Sequence, residues 1–281
     1  MKVESRLYVA GHCLNFSAAT LRGDPWRVER YPAICAYIRH PVRGHVVFDT
    51  GYSQGFFSAT RSLPFRLYRM ATPVRLAPRE SLAEQLTADG VLPPEVDTVI
   101  LSHFHADHVG GLRDFPNARI VAHAGAWSHV RDDRGLKALR KGFVPSLMPD
   151  DVENRLDDMC AKPMVRLPDQ MRPFDTGYDL FGDGSLVAVP LEGHARHQIG
   201  ILFDDERHGR TFLCADAAWS RRAIREKTGP GRLGYMAVDN PSETDETLSR
   251  LHELYVRNPT LRIVPSHCQE VWKEIRSDRR V

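Results

Sequence analysis

The stretch Val96-Asp97-Thr98-Val99-Ile100-Leu101-Ser102-His103-Phe104-His105-Ala106-Asp107-His108-Val109-Gly110-Gly111 decides the fold. Its first six residues form a short, mostly apolar run, the pattern of a buried strand. That strand delivers the chain straight into Ser102-His103, and Asp107 opens a helix. On extended backbone His103 and His105 point to one side, because side chains alternate with period two. Asp107 and His108 sit at the turn into the helix and aim at a second point nearby. One short segment can therefore serve two metal ions. Imidazole and carboxylate are the ligand types that suit zinc or a similar first-row divalent ion, with manganese and iron as alternatives.

A hexapeptide cannot close two coordination spheres, so further ligands must come from other strand ends. Three places offer them. His194 follows the predicted strand 185–191 in Glu192-Gly193-His194, Asp216 ends the strand 211–215, and His267 ends the strand 261–265 in Ser266-His267. Ligand-type side chains just past strand ends are where sites assemble in α/β folds.

Working outward, residues 7–14 and 33–40 are rich in β-formers, and Pro41-Val42-Arg43-Gly44 turns the second run into 45–49 as a hairpin. Residues 80–90 predict a helix with Ser81 and Glu84 spaced as a capping box and Gly90 as its stop. The stretch 124–159 is expected to be helical, its last helix starting at Pro149-Asp150-Asp151. Strands are expected at 185–191, 198–203, 211–215 and 261–265, and helices at 242–256 and 271–276. The first of these helices carries Leu248, Leu251, Leu254 and Tyr255 on one stripe. Strands and helices mix in both halves, which predicts an α/β layered sandwich of one domain over residues 1–281. The segment 56–76 joins Phe56, Phe57, Phe65, Leu67, Tyr68 and Met70 with Arg61, Arg66, Arg69 and Arg75, without a single acid. It is a candidate lid or pocket wall for an acyl chain or an anion, and equally a loop packed on the body. The stretch 124–160 is a candidate helical insertion.

With 42% hydrophobic and 26% charged residues among 281, and a formal charge of +2, the chain has the composition of an ordinary globular protein. Near-balanced charge offers no global field for nucleic acid. The charged start (Lys2, Glu4, Arg6) does not read as a signal peptide, and no apolar run is long enough to span a bilayer. Five scattered cysteines without CxxC spacing point to a reducing, cytoplasmic setting. Cys214 and Cys268, next to candidate ligands, are read as packing residues. The expected partner is a small-molecule substrate, and a homodimer is left open.

The ordered set HxHxDH, then Gly193-His194, then Asp216, then Ser266-His267, with Phe48-Asp49-Thr50-Gly51 near the start, resembles the metallo-β-lactamase superfamily from about residue 7 to residue 270. The resemblance implies a four-layer αββα sandwich with the site along one edge of two sheets. It assigns His103, His105 and His194 to one metal, Asp107, His108 and His267 to another, Asp216 as the bridge, and Asp49 just behind the ligands. Two ions about 3.5–4 Å apart lower the pKa of a bridging solvent, so a metal-bridging hydroxide is the expected nucleophile. Asp107 or Asp216 is expected to pass a proton to the leaving group. Diiron oxidoreductases of the superfamily carry glutamate at the position of His105, so histidine favours hydrolysis. The further resemblance is to N-acyl-homoserine lactonases, implying a carboxylic ester or lactone substrate. This chain departs from them in two places. Trp219 stands where those lactonases have a tyrosine, and Gly193-His194-Ala195-Arg196-His197 shortens their turn, leaving Arg196 and His197 as candidate substrate contacts. Alternatives are a thioesterase of glyoxalase-II type, for which Arg276, Arg279 and Arg280 would supply the basic C-terminal end, a phosphodiesterase, or a non-catalytic metal-binding protein.

Overall fold

In the computed structural model, which describes residues 1–278, alternation along the strands divides the apolar side chains into three layers of core. The strands are β1 (Lys2–Phe16), β2 (Val28–His40), β3 (Gly44–Phe48), β4 (Val74–Arg75), β5 (Val96–Ile100), β6 (Arg119–Ala122), β7 (Leu156–Asp158), β8 (Met164–Arg166), β9 (Thr176–Asp179), β10 (Leu186–Pro190), β11 (Ile199–Asp205), β12 (Gly209–Ala215) and β13 (Arg262–Pro265). One half of the sheet runs β7-β6-β5-β3-β2-β1, with β4 also on β1. The other runs β8-β9-β10-β11-β12-β13, and the two halves join where Lys2 and Val3 pair in parallel with Asp204 and Asp205.

The inner faces of the halves meet in one apolar layer, where Val46, Phe48 and Ile100 pack with Leu186, Ile199, Ile201 and Leu213. Their neighbours point outward. Val47 and Val99 face the helix Leu82–Ala88 through Leu82 and Leu86. Val187, Val189 and Leu202 face the helix Pro241–Arg257 through Leu248, Leu251 and Leu254. Fully burying three leucines is worth about 1.5–3 kcal/mol each, as an upper estimate. The result is the αββα sandwich.

Local signals explain most boundaries. Ser81 and Glu84 form the expected capping box, and Gly90 follows with φ +89°. Asn240 caps the long helix by accepting from Ser242 and Glu243, with Pro241 at its first position. The stretch 124–159 is less helical than expected. It breaks into Ala124–Val130, Gly135–Arg140 and Val152–Arg155, then ends as strand β7 on the sheet edge. Gly135 and Gly142, both at positive φ, and Pro145 and Pro149 interrupt any longer helix. Segment 56–76 folds as parts of two short helices, Gln54–Ala59 and Arg66–Ala71, and is tied back through β4 to β1. Arg279 and Arg280 lie outside the described residues. Among the described residues no helix is long and apolar enough to cross a membrane.

Gly193, between β10 and His194, shows how closely the outer helix approaches the site. It sits at φ +126°, and a Cβ there would collide with the backbone of Thr244. Gly193→Ala is expected to cost on the order of 3 kcal/mol, read as a lowered urea midpoint with an unchanged m-value.

Candidate metal centre

Five strand ends meet at one edge of the sandwich. Asp49 follows β3, the segment 103–108 follows β5, and His194, Asp216 and His267 follow β10, β12 and β13. Backbone bonds bridge the loops there. The Ile199 N–H donates to the Ser102 carbonyl at 3.0 Å, and the Ser266 N–H to the Ala215 carbonyl at 3.1 Å. The helix expected at Asp107 is a single turn, Ala106–Val109.

These loops bring together all seven of the expected ligand-type side chains. Three sets have their nitrogen and oxygen atoms within 4.8 Å of one another: His103, His105 and His194; His103, His108 and Asp216; Asp107, His108 and His267. Asp216 stands between them. Its Oδ2 is 3.3 Å from His194 Nε2 and 2.9 Å from His267 Nε2, and its Oδ1 is 3.2 Å from His108 Nε2.

The environment sets the charge of each group. Burial pushes His103, His105 and His194 down, for His103 and His194 well below the ordinary range, so these imidazoles are neutral lone-pair donors. Burial also acts against protonation of His108 and His267. There Asp216 outweighs it, joined by Asp49 and Asp107 at His108 and by Asp107 at His267, and raises His267 to about 9. For Asp216, burial is outweighed by His267, His108 and His194, and its carboxyl is held well below the carboxylate range.

Rings are fixed from behind. His267 Nδ1–H donates to the Pro32 carbonyl at 2.7 Å. His108 Nδ1 lies 2.8 Å from Asp49 Oδ2, and His103 Nδ1 lies 2.9 Å from Ser102 Oγ, whose own hydroxyl donates to Asp49 Oδ2 at 2.7 Å. Each Nδ1–H is thereby committed, which leaves Nε2 facing the cluster. His103 Nε2, His108 Nε2 and Asp216 Oδ1 are buried without a hydrogen-bond partner among the described residues. The buried Nε2 lone pair of His103 and the Asp216 carboxylate, beside His105 and His194, are the donor types that divalent cations satisfy, so the residues fit the metal.

The cluster opens into a cavity of about 370 Å³. Trp219 lines it, its ring edge-on to His194 with centroids 5.8 Å apart. Arg196 and His197 are not among the lining residues. The Arg196 N–H donates to Asp239, while His197 bonds Glu192 and stacks on His123 at 4.1 Å. Cys214 and Cys268 are fully buried in packing. Missed in the sequence are Tyr31, Tyr52, Arg140 and Met236 as lining residues, and the role of Tyr68. The acid-free aromatic segment 56–76 was the one signal for Tyr68, whose hydroxyl donates to Asp107 Oδ1 at 3.4 Å.

Residues 30–267 match the profile of the Metallo-beta-lactamase superfamily. The N-acyl homoserine lactonase AttM of Azorhizobium caulinodans is 26% identical over 235 residues, covering 84% of this chain and 81% of that protein. A probable metallo-hydrolase of Mycobacterium tuberculosis is also 26% identical, covering 82% and 73%. Among solved structures, a mutant of AiiA from B. thuringiensis with N-decanoyl-L-homoserine at its active site superposes with TM-score 0.73 at 16% identity, over 98% of this chain and 97% of that one. AidC, described as a dizinc quorum-quenching lactonase, superposes with TM-score 0.65 at 14% identity, over 95% and 88%.

Asp49→Asn places an amide donor against the donors of Ser102 and His108. The substitution is expected to weaken divalent-metal affinity about 10–100-fold, measured by chelator competition, while far-ultraviolet circular dichroism stays unchanged.

Proposed function

We propose, from the premise that the chain belongs to the metallo-beta-lactamase superfamily, that it is a dinuclear zinc hydrolase of carboxylic esters or lactones, with N-acyl-homoserine-lactone-like molecules as its substrates. The observation carrying this reading is the seven-residue cluster opening into a mostly apolar cavity. His103, His105 and His194 would hold one ion, and Asp107, His108 and His267 the other, with Asp216 shared. When bound, the ions supply Lewis-acid polarisation of the scissile carbonyl and lower the pKa of solvent toward neutrality.

The chain's own groups do the rest. Asp107 borders both the cluster and the cavity, where its carboxyl can hold a proton and hand it to the leaving oxygen. Asp216 keeps its charge while surrounded by three histidines, which suits a shared ligand. Leu67, Tyr31, Trp219 and Met236 present carbon to the substrate and exclude water around an acyl chain. Trp219 adds one N–H donor. Arg140 is the one lysine or arginine among the lining residues, too little positive charge to favour a phosphodiester over a neutral acyl substrate. The naming of AttM as an N-acyl homoserine lactonase supports the same substrate class. The five cysteines are unpaired, in keeping with a cytoplasmic location.

Zinc-loaded protein assayed on an acyl lactone, a thioester and bis-nitrophenyl phosphate tests the reading. Two metals per chain are expected, with lactone turnover abolished in His105→Ala and reduced about 10²–10⁴-fold in Asp107→Asn. Turnover confined to the thioester or the phosphodiester would overturn the substrate assignment, and fewer than two metals after reconstitution would overturn the dinuclear one.

A further inference from the structure

Asp107 differs from the other carboxylates of the cluster in how it is held. Asp49 receives two hydrogen bonds from Ser102 and one from His108. Asp216 is flanked by three histidines. Asp107 sits on a one-turn helix, with His267 Nε2 3.4 Å from its Oδ2 and the Tyr68 hydroxyl 3.4 Å from its Oδ1. Tyr68 thus takes the oxygen that His267 leaves, so the carboxylate plane is set between one scaffold group and one group from the segment 56–76.

Tyr68 is itself rigidly presented. Its ring packs edge-on against Phe56, centroids 5.6 Å apart, and Phe56 packs edge-on against Tyr52 at 5.0 Å. Phe56 and Tyr52 are essentially without exposure, so the ring rests on the core. The short helix Arg66–Ala71 is closed by Thr72, whose N–H and hydroxyl both donate to the Tyr68 carbonyl. The phenol is a neutral donor at physiological pH and cannot be replaced by any neighbouring aliphatic residue.

We propose that Tyr68 is a positioning residue for Asp107: it holds Oδ1 so that Oδ2 is presented to the ion shared with His108 and His267, coupling the wall segment 56–76 to one half of the metal centre. This rests on the two-ion reading above. The hydrogen bond is long, so its loss is expected to cost about tenfold in affinity, at the low end for groups that orient a ligand. The effect is selective, because His103, His105 and His194 make no hydrogen bond to Tyr68 among the described residues.

The experiment is stepwise zinc removal by a chromophoric chelator from the full-length wild type, Tyr68→Phe, Met70→Ala and His267→Ala. His267→Ala identifies which step belongs to the second ion. Met70→Ala, an exposed change on the same helix, controls for disturbance of the segment. In Tyr68→Phe the second-ion step is expected to weaken about tenfold with the first unmoved, and lactone kcat to fall more than KM rises. Equal weakening of both steps, no weakening, or the same shift in Met70→Ala would overturn the inference. A wild type that binds fewer than two zinc ions would instead overturn the two-ion reading itself, and this inference with it.

Discussion

The carboxylate of Asp49 is the constraint on which the centre depends. It is buried at the end of β3, yet it is no member of the converging ligand sets. Its Oδ1 accepts the Ser102 N–H at 2.8 Å, and its Oδ2 meets the Ser102 hydroxyl and His108 Nδ1. Through those bonds it fixes where β5 ends and which nitrogens of His103 and His108 face inward. A buried charge without such partners would cost several kcal/mol, so the loop geometry and the carboxylate require each other. The neighbouring residues complete the clamp. Thr50 donates to the His108 carbonyl and accepts from the Gly111 N–H, and Ser53 donates to the Gly110 carbonyl. Gly51 and Gly110 allow this approach, because a Cβ on Gly51 would strike Ala10 and one on Gly110 would lie 2.5 Å from the Gly51 carbonyl oxygen.

Burial of the cluster produces two opposed demands. It strips protons from His103, His105 and His194, which prepares them as ligands. It also gathers Asp49, Asp107 and Asp216 in a region of low dielectric, where three negative charges need compensation. Without metal, His108 and His267 answer by retaining protons. Divalent cations held by the same side chains would answer that demand more fully.

The legible parts of the sequence were those with local causes. The apolar run before Ser102 and the capping box at Ser81 each act within a few residues, and each appears as expected. The ligands were legible for the same reason, since each follows its own strand. The short strands β7, β8 and β9 were not, being three or four residues long, too short for an alternation pattern to show, and formed only through pairing with neighbouring strands. Gly135, Gly142, Pro145 and Pro149 did announce breaks in the stretch 124–159, and the helical expectation gave them too little weight. Arg196 and His197 looked promising by proximity to His194. The positive φ of His197 turns its side chain toward His123 and Glu192, a conformation no short pattern discloses.

The bond of Tyr68 to Asp107 was illegible for a deeper reason, and it bears on how the site is built. Trp219 stands a few residues past β12, on a turn whose Ala217 and Ala218 are buried in the sandwich, so its indole N–H is carried by the sandwich. Tyr68 comes instead from a helix of six residues on a half-exposed segment, held by Phe56 and Tyr52. A donor on scaffold is always present, whereas a donor on such a segment is present only while the segment is seated. The hydroxyl at Asp107 therefore ties the order of the pocket wall to the order of the ligands. Leu67 and Ala71, on the same helix, line the cavity, so whatever fills the cavity also loads the helix that carries Tyr68. Lining of the cavity and alignment of Asp107 are in this way two consequences of one seated segment.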